Sequence, residues 1–141
     1  MKQLLTLLLL CGGFTLLDCA AQTTEKPRVI VLTDIENEPD DAMSLVRFLL
    51  YSNQFDVEGL IATTSVHQPD KIADWRIKEI LAAYQQVQPN LLKHELGYPT
   101  HNQLLDVVKR GNPVYGLDGV GATKDSEGSD WIIDVLKQDD P

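Results

Sequence analysis

Five acidic residues fall within eight positions near the start of the chain, directly after an apolar run at residues 28–33. Carboxylates this close repel one another, so a positive group is expected among them. A hard divalent cation fits, because Ca²⁺ and Mg²⁺ take oxygen ligands and the neighbouring sequence has no His or Cys for zinc. The spacing alone leaves both a metal site and a solvated acidic turn open. The acids are Asp34, Glu36, Glu38, Asp40 and Asp41.

Part of this charge has a purely structural explanation. A helix N-terminus stabilises carboxylates through its partial positive charge. Asp40, directly after Pro39, is a candidate helix N-cap. A cap accounts for one of the acids and leaves the others unexplained.

Strands must bring such residues to one edge of a sheet, and two strands are predicted. Residues 28–33 are apolar and rich in β-branched side chains, and residues 55–63 have a similar character. Ligands of open α/β sheets bind beyond the carboxyl ends of the strands, where Asp34 stands. Two strands are few for the helices that follow. We therefore expect residues 28–141 to be the N-terminal part of a longer domain, with a sheet that is incomplete at its C-terminal side.

Helices are predicted between and after these strands, which favours the α/β class with a parallel sheet. Apolar spacing, capping patterns and helix-breaking residues define them. The first predicted helix covers residues 41–51, and the second covers 70–87 and stops at Pro89. The third begins with a capping box at Thr100 and Gln103 and runs to about Arg110, where Gly111 ends it. The fourth follows a glycine-bearing loop at 116–128 and begins at a Ser129 cap.

Composition bounds the class of partner. The chain has 141 residues, enough for one domain, and 43% of them are hydrophobic, enough for a real core. Its net charge is −9. That balance argues against nucleic acid, because phosphate binding needs clustered Lys and Arg, and it permits cations and neutral ligands such as sugars or nucleosides.

The first residues have the pattern of a secretory leader. A positive charge, an apolar stretch and the small residues Ala20 and Ala21 predict a signal peptide at 1–21, too short for a membrane span, and a polar linker at 22–27. Cleavage after Ala21 would remove both Cys11 and Cys19 and leave no disulfide. The expected location is secreted or periplasmic. A lipoprotein signal, with lipid on Cys19, is the alternative.

The acidic stretch resembles the signature of the inosine–uridine type nucleoside hydrolases. That signature is a strand ending in Asp, then a loop, then Asp-Asp-Ala at the start of a helix. The resemblance implies that Asp34 and Asp41 bind Ca²⁺ and that Asp40 is the general base for water. It also implies a Rossmann-like, nucleoside-hydrolase-type sheet with helices on both faces. The loop at 35–39 is longer than the usual Pro-Gly-containing turn of the family.

Two further stretches carry the resemblance. "GLIATTSV", residues 59–66, is similar to the family's second strand and Thr-Thr turn, and "YGLDGVG", residues 115–121, to its His-Gly-x-Asp-Gly-x-Gly loop. The family's Gly-Asn, whose Asn touches the ribose, is replaced here by His67-Gln68. His67, Gln68 and Asp118 are therefore the candidate substrate contacts, with turn closure as the alternative for Asp118.

A secreted bacterial branch of nucleoside-hydrolase-like domains, catalogued with a cellulose-binding protein, is more similar still. The longer acidic loop, "PNLLKHELGYPT" at 89–100 and "KDSEGSDWII" at 124–133 carry this likeness. It implies a secreted, Ca²⁺-dependent hydrolase of N-glycosidic bonds acting on a small nucleoside or carbohydrate, with part of its active site beyond residue 141. The alternative is a carbohydrate-binding protein on the same scaffold without turnover. A haloacid-dehalogenase-type phosphatase is disfavoured, because it needs Asp-x-Asp and Glu36 occupies the second position.

Other side chains that could do chemistry have simpler explanations. Trp75 and Trp131 lie on apolar helical faces, which predicts core packing rather than sugar stacking. His101 falls in a first helical turn and is expected to face solvent.

Overall fold

A computed structural model describes residues 25–138 of the chain. The predicted leader and both cysteines lie outside these residues. The strands are β1 (Arg28–Thr33), β2 (Asp56–Ala62) and β3 (Val108–Arg110), and the helices are α1 (Pro39–Leu49), α2 (Asp74–Leu91), α3 (His101–Asp106) and α4 (Glu127–Leu136). Within these residues, no helix is both long and apolar enough to cross a membrane.

The three strands form one parallel sheet in the order β1-β2-β3. Thr33 pairs with Ala62, and Ala62 pairs with Arg110, so the carboxyl ends of all three strands meet at one edge. The register shifts between Val29 and Ile30, opposite Gly59. A Cβ on Gly59 would lie 2.8 Å from Cγ2 of Ile30, so glycine admits the Ile30 side chain at this irregularity.

Helices pack on both faces of the sheet, which confirms the predicted α/β architecture. Leu60 and Ala62 of β2 belong to the core that α1 and α2 cover. Side chains alternate between the faces along a strand, so Ile61 points the other way, toward α4. There a Cβ on Gly128 would come within 2.7 Å of Cγ2 of Ile61, and glycine therefore lets α4 approach β2 closely. The core residues on the α1 and α2 face include Leu45, Leu49, Ile77, Leu81 and Tyr84.

The predicted helix from Thr100 to Arg110 is wrong beyond its first turns. Thr100 does cap α3, accepting a hydrogen bond from the Gln103 N–H at 3.3 Å. The helix then ends at Asp106, and Val108–Arg110 form a strand because they pair with Leu60–Ala62 of β2. The sheet therefore has three described strands where two were predicted.

Several helix ends differ from their predictions. Glu38, not Asp40, is the N-cap of α1, with Pro39 in the first helical position. Ser126, not Ser129, caps α4. The helix α2 begins four residues later than predicted, and Pro89 lies inside its last turns. Trp75, in the first turn of α2, is 44% exposed, which contradicts its predicted core packing.

Candidate functional site

The loops that follow the three strands meet at the carboxyl edge of the sheet. The first is the acidic turn, residues 34–38, which joins β1 to α1. The loop after β2 touches it through Gln68, and the loop after β3 touches the β2 loop through Asn112. The Thr64 hydroxyl donates to the carbonyl of Asn112 at 3.3 Å, and the Tyr115 N–H donates to the carbonyl of Pro69 at 3.2 Å. A candidate site can therefore draw on all three loops.

Backbone bonds give the acidic turn a defined shape. The Asn37 N–H donates to the carbonyl of Asp34 at 3.0 Å, which closes the turn directly after β1. Ile35 is fully buried and anchors the turn in the core. Glu36 has a φ of +76°, a left-handed conformation that residues other than glycine adopt rarely. The turn thus holds an unusual backbone conformation between the two predicted metal ligands, Asp34 and Asp41.

Gln68 fastens this turn from the neighbouring loop. Its side chain is buried, and Nε2 donates to the carbonyls of Asp34 and Ile35, at 3.1 Å each. The Gln68 N–H in turn donates to Oγ of Ser65 at 3.1 Å. The amide nitrogen of this predicted substrate contact is therefore engaged with the backbone of the acidic turn.

Arg76 supplies a positive charge to the acidic turn. Its Nε pairs with the carboxylate of Glu36, and its Nη1 donates to Glu79 at 2.9 Å. The pKa of Arg76 is raised above its usual value, chiefly by the hydrogen bond to Glu36. The expectation of a positive group among the acids is thus met, for one of the five, by a side chain of α2.

Asp41 and Asp34 line the same pocket. The carboxylate of Asp41 accepts the Glu38 N–H at 3.1 Å, which caps the start of α1. Together with Asp34, Thr33 and Ser44, it borders a pocket of about 330 Å³ beside the end of β1. Asp40, one position earlier, is exposed in the first turn of the helix. The structure therefore brings the two predicted ligands to one pocket, whereas the predicted base is exposed to solvent and is not among the residues that line it.

The donor chemistry of this pocket suits a hard cation and fills only part of its shell. Asp34 and Asp41 offer carboxylate oxygens, and Ca²⁺ takes six to eight oxygen ligands at about 2.3–2.6 Å. Across residues 25–138, no group of three or more His, Cys, Asp or Glu side chains is placed to hold a metal ion. Asp34 and Asp41 could therefore fill only part of the shell of such an ion.

The other two predicted substrate contacts, His67 and Asp118, are not bonded to the acidic turn in the part of the chain that the structure describes. His67 and Asp118 are exposed, and within the described residues no hydrogen bond joins either side chain to the turn. Asp118 lies in a short 3-10 turn, Leu117–Gly119, and its carbonyl accepts a hydrogen bond from Lys124. The side chain of Asn112 braces this loop, with bonds to the carbonyls of Gly119 at 2.6 Å and Lys124 at 3.0 Å.

Three features of the site were not predicted. Arg76 and Asn112 act through contacts between loops that no local sequence pattern indicates. A buried carboxylate, Asp74, pairs with Arg110 at the end of β3 and with Lys78 at 2.7 Å. Its one visible signal was the spacing of four residues to Lys78, which is typical of a helical ion pair.

Comparisons with known proteins agree with this architecture. The family model described as "Cellulose-binding Sde182, nucleoside hydrolase-like domain" matches residues 28–141. A solved structure is described as a nucleoside hydrolase-related hypothetical protein from Saccharophagus degradans that is associated with carbohydrate metabolism. It is 42% identical over 82% of this chain, with a TM-score of 0.79, and the chain spans 28% of the length of that protein. A comparison with curated proteins gave no match.

Proposed function

Because the chain belongs to the Sde182 nucleoside hydrolase-like family, we propose that it forms part of a hydrolase of N-glycosidic bonds. One observation carries the proposal: Asp34, at the end of β1, and Asp41, in the first turn of α1, border one pocket. A fold by itself does not specify a reaction, so the proposal depends on these side chains.

Asp34 and Asp41 are proposed to hold Ca²⁺, because both residues line one pocket and both have carboxylate side chains. The ion, when bound, supplies a water of lowered pKa and a fixed point for sugar hydroxyls. The Asp41 carboxylate also accepts the Glu38 N–H, so its orientation is fixed before any ligand arrives. Asp34 is fixed through its backbone, by Gln68 and by Asn37.

Asp40 is proposed as the general base. It is exposed in the first turn of α1, next in sequence to the pocket-lining Asp41, where its carboxylate is open to a water molecule. The sugar becomes positively charged, like an oxocarbenium ion, as its glycosidic bond breaks in the transition state. The negative charges of the acidic turn would stabilise that transition state.

Gln68, His67 and Asp118 are proposed to contact the sugar. The amide nitrogen of Gln68 is held by the acidic turn, so its amide oxygen is the atom left for a hydroxyl. His67 and Asp118 are exposed on the loops that follow β2 and β3 at the carboxyl edge of the sheet, where the ligand is proposed to bind.

The test compares the full-length protein with its Asp40→Asn variant in an assay for base released from nucleosides. Loss of a general base lowers the rate by about 10²–10⁴-fold, and that loss is expected in the variant. Asp130→Asn is the matched control, because Asp130 is an exposed acid near the start of another helix, α4. Equal rates for the wild-type protein and the Asp40→Asn variant would remove Asp40 from the mechanism.

The second candidate is a carbohydrate-binding protein without turnover. It is supported by the words "cellulose-binding" in the family description and by the association of the solved relative with carbohydrate metabolism. If the protein only binds carbohydrate, wild-type protein and the Asp40→Asn variant should be retained equally on insoluble cellulose. Neither should release base from any nucleoside.

The proposed location is outside the cytoplasm, on the strength of the leader pattern at 1–21. N-terminal sequencing of the mature protein tests it. A start at Gln22 supports signal peptide cleavage, and a lipid-modified Cys19 supports the lipoprotein alternative.

A further inference from the structure

We propose that Arg76 is a positioning residue that sets the shape of the acidic turn and, with it, the spacing of Asp34 and Asp41. Its meaning for metal binding rests on the proposed function, whereas its effect on the turn does not. Arg76 lies in the first turn of α2, whereas the turn it holds connects β1 to α1.

The turn needs an external hold because its backbone is strained. Glu36 is one of two non-glycine residues with a positive φ in the described part of the chain. Such conformations persist where surrounding contacts fix them. Gln68 fixes the carbonyls of Asp34 and Ile35, before Glu36, and the Arg76 ion pair fixes the Glu36 side chain itself.

The ion pair is placed where it can exert this hold. The side chains of Arg76 and Glu36 are 37% and 22% exposed, so water screens the pair only in part. The guanidinium also donates through Nη1 to Glu79, an exposed acid of the same helix. Among residues 25–138, Arg76 is the one Lys or Arg that forms an ion pair with an acid of the turn.

The helix that carries Arg76 is itself firmly anchored. Asp74, two residues earlier, is buried and pairs with Arg110 of β3 and with Lys78. Ile77, one residue later, is fully buried in the core. Arg76 therefore transmits the position of the sheet and of α2 to the acidic turn.

Asp34 and Asp41 lie on either side of Glu36 in the chain. The distance between their carboxylates depends on the conformation of the residues between them, and that conformation is what the Arg76 pair restrains. Arg76 does not line the pocket, so it acts on the two ligands through the turn.

The first experiment measures hydrogen exchange of the metal-free, full-length protein at the Asn37 and Glu38 amides. Both amides donate bonds that depend on the shape of the turn. Arg76→Gln is expected to raise their exchange rates several-fold and Arg76→Lys to raise them less. Lys93→Gln, at an exposed cation just beyond the far end of α2, is expected to leave them near wild type. Unchanged exchange in Arg76→Gln would overturn the proposal, and so would equal acceleration at Val135 in α4, which would show a global loss of stability.

The second experiment titrates Ca²⁺ into the same variants by calorimetry. Arg76→Gln is expected to weaken binding several-fold and Arg76→Lys to recover part of the affinity, because a displaced turn separates the ligands and a lysine retains the charge. Wild-type affinity in Arg76→Gln would overturn the link between the turn and the ligands. A wild-type protein that binds no Ca²⁺ would instead overturn the proposed metal site, while the exchange result would still decide whether Arg76 positions the turn.

Discussion

At the scale of single residues, the acidic cluster separates into side chains with different tasks. Glu36 is paired with Arg76, Asp41 accepts a backbone N–H while facing the pocket, and Asp40 is exposed. Asp34 faces the same pocket as Asp41. Charge repulsion predicted one compensating cation for the whole cluster. The structure shows that compensation is divided, because a side chain far along the sequence takes one acid and a helix N-terminus stabilises others.

Gln68 is an uncharged residue whose replacement should lower the stability of the acidic turn. Gln68→Ala is expected to destabilise the protein by about 1–3 kcal/mol, because two buried hydrogen bonds to the acidic turn are lost. The measurement is the free energy of unfolding in urea. His67→Ala is the matched control. His67 lies next to Gln68 and its side chain is exposed, so this substitution should change the free energy of unfolding by less than about 0.5 kcal/mol. Equal values for the two variants would show that the Gln68 bonds contribute nothing.

At the scale of elements, the strands and helix caps that depend on residues close together in the chain were predicted well from the sequence. The bounds of β1 were predicted correctly, because it is a short run of mainly apolar, β-branched residues. The strand β2 was predicted within one residue at each end, although Asp56 and Glu58 interrupt its apolar residues. The α3 cap followed from the Thr100 and Gln103 box, whose two bonds are made within four residues of chain.

The elements that were predicted wrongly depend on distant partners. β3 has three residues, Val108, Lys109 and Arg110, and is a strand only because β2 lies beside it. The cap of α4 is a local exception: Ser126 and Ser129 both fit a cap, and Ser126 is the cap because its hydroxyl accepts the Ser129 N–H. The predicted metal pair Asp34 and Asp41 came from family resemblance, whereas the Arg76 contact required the tertiary structure.

Tyr84 links the end of α2 to the segment before α3 and gives this contact a pH dependence. Burial raises the pKa of Tyr84 above its ordinary value of 10.0, and its hydroxyl donates to the carbonyl of Pro99 at 2.8 Å. The folded state therefore favours the protonated phenol. This contribution to stability is fully present below about pH 10 and is lost as the pH rises through the higher folded-state value.

Tyr84→Phe tests this sign. At pH 7 the variant is expected to be less stable by about 1 kcal/mol, the usual net value of one hydrogen bond. Above pH 10 the wild-type protein loses stability that the variant cannot lose, so the gap between their urea midpoints should narrow. A gap that widens with pH would contradict the assigned direction of the pKa shift.

At the scale of the whole molecule, β1 is an edge strand of the described sheet. The pocket lined by Asp34 and Asp41 lies beside this strand. The chain spans 28% of the solved relative. The metal site proposed at Asp34 and Asp41 would need further oxygen ligands beyond these two carboxylates. The net charge of −9 adds a general attraction for cations, which any test of specific binding must separate from the site.

Calcium is therefore expected to raise the melting temperature of the full-length protein by a specific and a general route. Specific binding to the folded state contributes about 2.7 kcal/mol when the free ion is at a hundred times its dissociation constant. Screening of the negative charge also stabilises the fold, but any salt achieves that. Melting curves are compared at one ionic strength, set by NaCl alone or by NaCl with CaCl₂. The Asp41→Asn variant should keep the NaCl response and lose the additional shift from CaCl₂, because it removes a pocket carboxylate and only one of many negative charges. An equal CaCl₂ shift in wild-type protein and variant would assign the whole effect to the net charge and leave the pocket without a role in binding the ion.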